Sequence, residues 1–194
     1  MFQVSTPQQV FEVDGDILLR TAEPTDAYII SQYFVVNRAH LKPWEPERDA
    51  EFYTLSGWTS RLIKLNELHR LGLGYYLLII DRETEQMLGT ISFSTLTRFP
   101  VHACHVGYSL ANGAQGRGVM SRALKMAVNY MFTVQNMHRI MASYMPHNLR
   151  SEAVLERLGF EREGLAKQSL LINGQWRDHI LTAMINPSWT SVKK

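Results

Sequence analysis

The chain has 194 residues, 45% of them hydrophobic and 20% charged, with a formal net charge of +2. That length buries one good core and leaves no room for a second full domain, so a single domain over residues 1–194 is expected, globular rather than disordered or membrane-spanning. So small a charge is compatible with an acidic ligand or a ribosomal surface but points to neither, and a lone Cys104 excludes an internal disulfide framework.

In chain order, Met1 to Asp14 shows no basic patch, no long apolar stretch and no small-residue cleavage site, which predicts no signal peptide and a cytoplasmic protein. The longest apolar run, Tyr75 to Ile80, is far too short to span a bilayer, so no membrane partner is expected. Phe11 to Arg20 alternates as a strand. Thr25 or Asp26 then caps a helix reaching Arg38, with Ala27, Ile30 and Phe34 at helical spacing. The segment His40 to Pro46 cannot continue it, because each proline lacks an amide donor and biases its predecessor toward extended geometry, so a rigid loop is expected. From Asp49 to Leu71, Phe52, Leu55, Leu62, Leu65 and Leu68 predict a second long helix, ended by Gly72 and Gly74. The period then changes, and Tyr75 to Asp81, Met87 to Thr97 and Ala103 to Leu110 read as an antiparallel meander of strands. Cys104, inside the last of them, reads as a small buried hydrophobe rather than a catalytic thiol.

After the meander comes Asn112-Gly-Ala-Gln-Gly-Arg-Gly118, then a helix whose core stripe is Met120, Leu124, Ala127, Val128, Met131 and Phe132. A strand follows at Arg139 to Tyr144, then Asn148 as an N-cap and a helix from Leu149 to Leu158. The chain ends in strands at Ala166 to Ile172 and Gln175 to Ile185, joined by the hairpin signal Asn173-Gly174. The sum is an α/β (α+β) fold: a mixed, mostly antiparallel central sheet flanked by helices, without repeats or linkers.

The one glycine loop at a strand–helix junction carries the chemistry. Gly116 and Gly118 remove Cβ atoms, successive amides can form a nest, and the following helix turns its positive end to an anion. By itself this reads equally as a tight turn. It is not a P-loop, since Val-Met rather than Lys-Ser/Thr follows Gly118, and its spacing is not the dinucleotide G-x-G-x-x-G. No His-Glu-x-x-His or paired Cys/His spacing accompanies the 7 histidines, so no metal is expected, and no Gly-x-Ser-x-Gly elbow occurs.

Gln115-Gly-Arg-Gly118-Val-Met120 resembles the Gln/Arg-x-x-Gly-x-Gly/Ala motif of the GNAT N-acetyltransferases, which binds the pyrophosphate of coenzyme A, with Met120 in place of the usual small last residue. A bulkier side chain there is expected to change how closely helix and cofactor approach. Asn148-Leu-Arg-Ser151 and its helix ending in Gly159-Phe160 resemble the family's second motif, and the two motifs in this order, about thirty residues apart, are more specific than either alone. The resemblance covers almost the whole chain. It implies acetyl-CoA as co-substrate, the GNAT fold, and cofactor contacts from Val106, Gly107, Tyr108, Gln115, Gly116, Arg117, Gly118, Val119, Met120 and Asn148. The pair Gly107-Tyr108 fits the family's central strand, whose backbone pairs with the pantetheine arm. The strings from His40 to Pro46, from Tyr144 to Asn148 and from Leu171 to His179 resemble the branch that acetylates ribosomal-protein N-termini. This implies transfer to the N-terminal alanine of small-subunit ribosomal protein number five, with the small subunit itself as a further partner and no sequence-specific nucleic-acid contact. A small-molecule amine acceptor and a ribosome-assembly role with the same fold are the alternatives.

An α-amine with a pKa of about 8 needs only a modest base to be delivered free. Glu45, held between Pro43 and Pro46, is a candidate base or a recogniser of the substrate ammonium, and reads equally as a solvated surface glutamate. His105 is a second candidate, against the alternative of a histidine packed on a sheet, and Asp178 is a third. A backbone amide near Val106 to Tyr108 would hold the oxyanion. Many GNAT enzymes carry a proton-donating tyrosine four residues after the Ser/Ala of the second motif, where this chain has Leu155. The resemblance to relatives that acetylate ribosomal proteins implies Ser151 as the donor to the departing thiolate; the alternative is a serine of the first helical turn bonded to Asn148. Trp44 and Trp176 either wall a peptide channel or simply pack.

Overall fold

The computed structural model describes residues 9–191. The first 8 residues, part of the stretch read for a signal peptide, lie outside them. The strands are β1 (Phe11–Asp14), β2 (Ile17–Thr21), β3 (Tyr75–Asp81), β4 (Met87–Thr97), β5 (Ala103–Leu110), β6 (Arg139–Tyr144), β7 (Glu161–Ile172) and β8 (Gln175–Ile185). The helices are α1 (Ala27–Val36), α2 (Arg38–Leu41), α3 (Leu55–Arg70), α4 (Val119–Thr133) and α5 (Leu149–Leu158).

The strands form one sheet in the order β1-β2-β3-β4-β5-β6-β8-β7. Every neighbouring pair is antiparallel except β5 and β6. The apolar run Tyr75 to Ile80 is explained by β3 being covered on both faces. Because side chains alternate along a strand, Leu77 and Ile79 join a core with Leu124 and Met131 of α4, while Leu78 and Ile80 join a second core with Ile30, Trp58 and Leu62 of α1 and α3. Cys104 is fully buried in the first core, where burial pushes its thiol up to about 12, so it packs and does not react. Among the described residues no helix is long and apolar enough to cross a membrane.

Several boundaries differ from the sequence reading. Phe11 to Arg20 is a hairpin rather than one strand: Gly15 takes φ +57°, which turns the chain so that Asp14 pairs with Ile17. A 3₁₀ turn at Pro24–Asp26 precedes α1, and the Asp26 side chain does not cap the helix. Buried, it accepts the Glu23 amide at 2.7 Å and both terminal nitrogens of Arg20 at 2.7 Å. The helical path runs past His40 to Leu41, and Lys42 stays in helical geometry although Pro43 follows. The buried Leu41 side chain and the Lys42 amide bond to the Arg38 carbonyl, 3.0 Å, outweigh the proline's preference there. The second long helix is broken: Asp49 caps a 3₁₀ turn at Ala50–Tyr53, Thr54 is extended, and its hydroxyl caps α3 at the Gly57 amide, 3.0 Å. A Cβ on Gly57 would stand 2.0 Å from the Glu51 carbonyl oxygen, so only glycine lets the two helices meet this closely. Strand β7 begins at Glu161, earlier than the alternation from Ala166 suggested.

Candidate active site

Residues Gln115 to Gly118 lie between β5 and α4. Gly116 and Gly118 take φ +75° and +72°, left-handed values natural to glycine, and turn the chain onto the helix. Gly118 is the N-cap and supplies no side-chain partner, so the first amides of α4 face outward unpaired by a cap. A Cβ built on either glycine would meet nothing within 4 Å, so no side chain plugs the turn. Together these make an open seat for an anion. The amide of Asn112 ties the loop down by donating to Asn37 Oδ1, 3.0 Å, at the end of α1.

The side chains around this seat do different things. Gln115 Oε1 accepts from Arg150 Nη1 at 2.6 Å, and because a guanidinium only donates, its Nε2 must be the atom 3.0 Å from His40 Nε2. His40 therefore accepts there and carries its proton on Nδ1. Arg117 turns to Asp16 and Asp81, at 3.7 and 3.9 Å, which leaves only its backbone for the seat. Val119 and Met120 are buried in the core, where the larger side chain of Met120 packs.

Beyond the seat the sheet opens. Strands β5 and β6 pair only from Ala103–Arg139 to His105–Met141, and from Val106 onward β5 has no paired residue on that side. Alternation sorts its side chains. Cys104, Val106 and Tyr108 face the core under α4 and α5, whereas Ser109 faces α1, where its hydroxyl meets Tyr33 Oη at 2.9 Å. His105 and Gly107 share the Ser109 face. His105 is exposed as a residue, yet partial desolvation of its ring and the neighbouring Arg139 lower its pKa, which favours the neutral imidazole.

Glu45 lies on that same face. Its backbone carbonyl accepts the Asn173 amide at 3.2 Å, which clasps the loop to the β7–β8 turn, where Asn173 and Gly174 both have positive φ. Its carboxylate is partly buried and only 3.9 Å from Arg48 Nε; burial raises its pKa and outweighs the arginine. It is therefore not a solvated surface glutamate. Arg38, Lys42, Arg48 and Tyr53 line a pocket of about 90 Å³ beside it. A second, open cleft of about 470 Å³ is lined by Met145, His147, Trp176 and Asp178, and Trp44 packs on His147 with ring centres 5.4 Å apart. Asp178 accepts the Gln168 amide at 2.8 Å, holding β7 where Gln168 turns to φ +47°, which gives this carboxylate a structural task.

On the opposite face Asn148 Oδ1 caps α5 by accepting the backbone amide of Ser151, 3.2 Å. The Ser151 hydroxyl does not bond to Asn148; it lies 2.7 Å from Tyr108 Oη. Leu155 is buried in the core and reaches nothing polar. Among the described residues no group of three or more His, Cys, Asp or Glu could hold a metal ion.

The GNAT acetyltransferase domain family matches residues 16–161. The chain belongs to the GNAT acetyltransferases. Among GNAT relatives, the [ribosomal protein uS5]-alanine N-acetyltransferase of Escherichia coli is 47% identical over 174 residues, 90% of each chain. The structure of ribosomal-protein-S5-alanine acetyltransferase from Vibrio fischeri superposes with a TM-score of 0.92 at 47% identity, covering 94% of this chain and 100% of that one. RimJ of Mycobacterium smegmatis, solved in complex with CoA-disulfide, matches with a TM-score of 0.83 at 30% identity, over 90% of this chain and 84% of that one.

The GNAT cofactor fits the residues present: the open turn at Gly116 and Gly118 and the uncapped amides of α4 suit a diphosphate. Arg150 and Arg157 of α5 both reach the head of α4, at Gln115 and at Ser121 Oγ (2.9 Å), and bring positive charge to that seat. Neither arginine, nor His40, nor the Tyr108 hydroxyl emerged from motif reading. The spacing of Arg150 and Arg157, which places both on one helix face, was the available signal.

Proposed function

We propose that the chain transfers the acetyl group of acetyl-CoA to the N-terminal alanine of ribosomal protein uS5, as a single GNAT unit acting in the cytoplasm. The observation that carries the reading is the unplugged glycine turn at the head of α4 beside the gap between β5 and β6. The 47% identity over nine-tenths of the E. coli relative supports the acceptor.

In this reading the amides from Gly116 to Ser121 and Arg150 hold the diphosphate of acetyl-CoA, which supplies an activated acetyl group as its thioester. The exposed backbone of Val106 to Tyr108 aligns the pantetheine arm as an added strand would and offers an amide to the carbonyl oxygen. The acceptor N-terminus enters over Trp44 and Trp176 and meets Glu45, whose raised pKa suits a group that takes the proton of the amine. His105 stands on the same face as an alternative base. Asp178 is not part of this assignment. Orientation supplies much of the rate, because the two substrates meet from opposite faces of one gap.

Incubation with acetyl-CoA and a peptide opening with the uS5 N-terminal alanine should add one acetyl group, read by mass spectrometry, with spermidine as a small-amine control. Acetylation of spermidine and not of the peptide would replace this acceptor with a small amine. Co-sedimentation with small ribosomal subunits that survives loss of acetylation would instead support an assembly role.

A further inference from the structure

Within the acetyl-transfer reading above, we infer that Tyr108 is a positioning residue for the leaving thiolate: its hydroxyl bonds across from β5 to Ser151 on α5 and aims the serine proton into the gap between β5 and β6. This assigns to Tyr108 a side-chain task beyond the backbone contact expected of it.

Three observations carry the inference. The tyrosine that the second motif commonly places on α5 is absent, and Leu155 in its place is committed to the core. Tyr108 Oη lies 2.7 Å from Ser151 Oγ, the length of a strong O–H···O bond, and only 3.4 Å from the Ser151 carbonyl, at the limit of one. A phenol is the better donor and an alkyl hydroxyl the better acceptor, so the tyrosine proton goes to Ser151 Oγ. Asn148 Oδ1 takes the backbone amide of Ser151 for the cap, so the serine's own O–H is not spent there.

Burial pushes the Tyr108 hydroxyl up to about 12, so the ring stays protonated and its O–H remains available as a donor. With its proton engaged at Ser151 Oγ, Tyr108 acts through the serine and not on the sulfur itself. In the reaction a carbon–nitrogen bond forms, the carbon–sulfur bond breaks and its electron pair stays on sulfur. Ser151 shares its proton with that sulfur, and the proton released by the amine through Glu45 and water completes the thiol. Amine and thioester give amide and thiol with nothing else consumed.

The test combines Tyr108→Phe, Ser151→Ala and the double variant with two readouts. The first is kcat and KM for acetyl-CoA. The second is the pKa of the thiol of bound coenzyme A, followed by thiolate absorbance in pH titration. Tyr108→Phe should lower kcat about tenfold, the scale of one hydrogen bond, with KM for acetyl-CoA nearly unchanged. It should also raise the bound thiol's pKa. Ser151→Ala should do both at least as strongly, and the double variant should be no worse than Ser151→Ala. An unchanged thiol pKa in Tyr108→Phe, or single losses that multiply in the double variant, would overturn the inference. If calorimetry shows that the wild-type chain binds no coenzyme A at all, the acetyl-transfer reading itself falls and takes this inference with it.

Discussion

Glu45 shows how one residue is caught between stability and chemistry. Burial raises its folded pKa above the ordinary glutamate value, so the folded state prefers the neutral acid. That preference is fully available below the unfolded pKa and is lost as pH rises through the folded one, so at neutral pH the ionised side chain costs stability. Glu45→Gln should therefore raise the melting temperature at pH 7 relative to wild type. The same change should lower kcat and remove the acidic limb of the kcat/KM profile, because a base must be ionised to accept a proton. A limb that stays in place would pass the role to His105. At this scale the flanking prolines exposed Glu45 and the family resemblance exposed Ser151 as candidates, but neither could reveal contacts across the chain: His40 and Gln115 are 75 positions apart, and Tyr108 and Ser151 are 43 apart.

At the scale of elements, the head of α4 is decided by backbone shape. Gly118 at φ +72° holds a conformation that costs an L-residue about 1–2 kcal/mol, and no protein atom opposes a methyl group there. Gly118→Ala should thus destabilise modestly, while the methyl in the anion seat raises KM for acetyl-CoA severalfold or more without changing KM for the acceptor. Unequal change in the opposite sense would place the diphosphate elsewhere. Far from the seat, Arg20 and Asp26 pin the start of α1 to β2 through a two-pronged bond with Asp26 only 8% exposed. Asp26→Ala strands the guanidinium and frees the Glu23 amide, and should cost about 3 kcal/mol in urea unfolding. Several elements were read at their true bounds, β3, β4, β5, β6, α5 and β8 among them, because alternation, caps and the Asn-Gly turn act locally. Where the reading failed, at Gly15, Thr54 and Leu41, a single left-handed glycine, a second cap or one buried leucine outweighed the period.

For the whole molecule, the seat joins parts that the chain keeps apart: α4, α5 through Arg150, α2 through His40, and α1 through Asn37. A ligand held there should stabilise the fold as one body. Coenzyme A at a hundredfold excess over its Kd should add about 2.7 kcal/mol, seen as a rise in melting temperature, and Gly118→Ala at the same concentration should lose about 1 kcal/mol of it for a fivefold weaker Kd. No rise in the wild type would contradict the seat. By itself the sequence determined the α/β class, the strand at β3, the glycine turn before α4 and the family, since each rests on neighbouring residues and their period. Only the tertiary structure decided that β5 and β6 part after His105, that Glu45 is partly buried beside Arg48, and that Tyr108 reaches Ser151. Those are distances between residues remote in the chain, set by how both faces of the sheet pack and not by any local pattern.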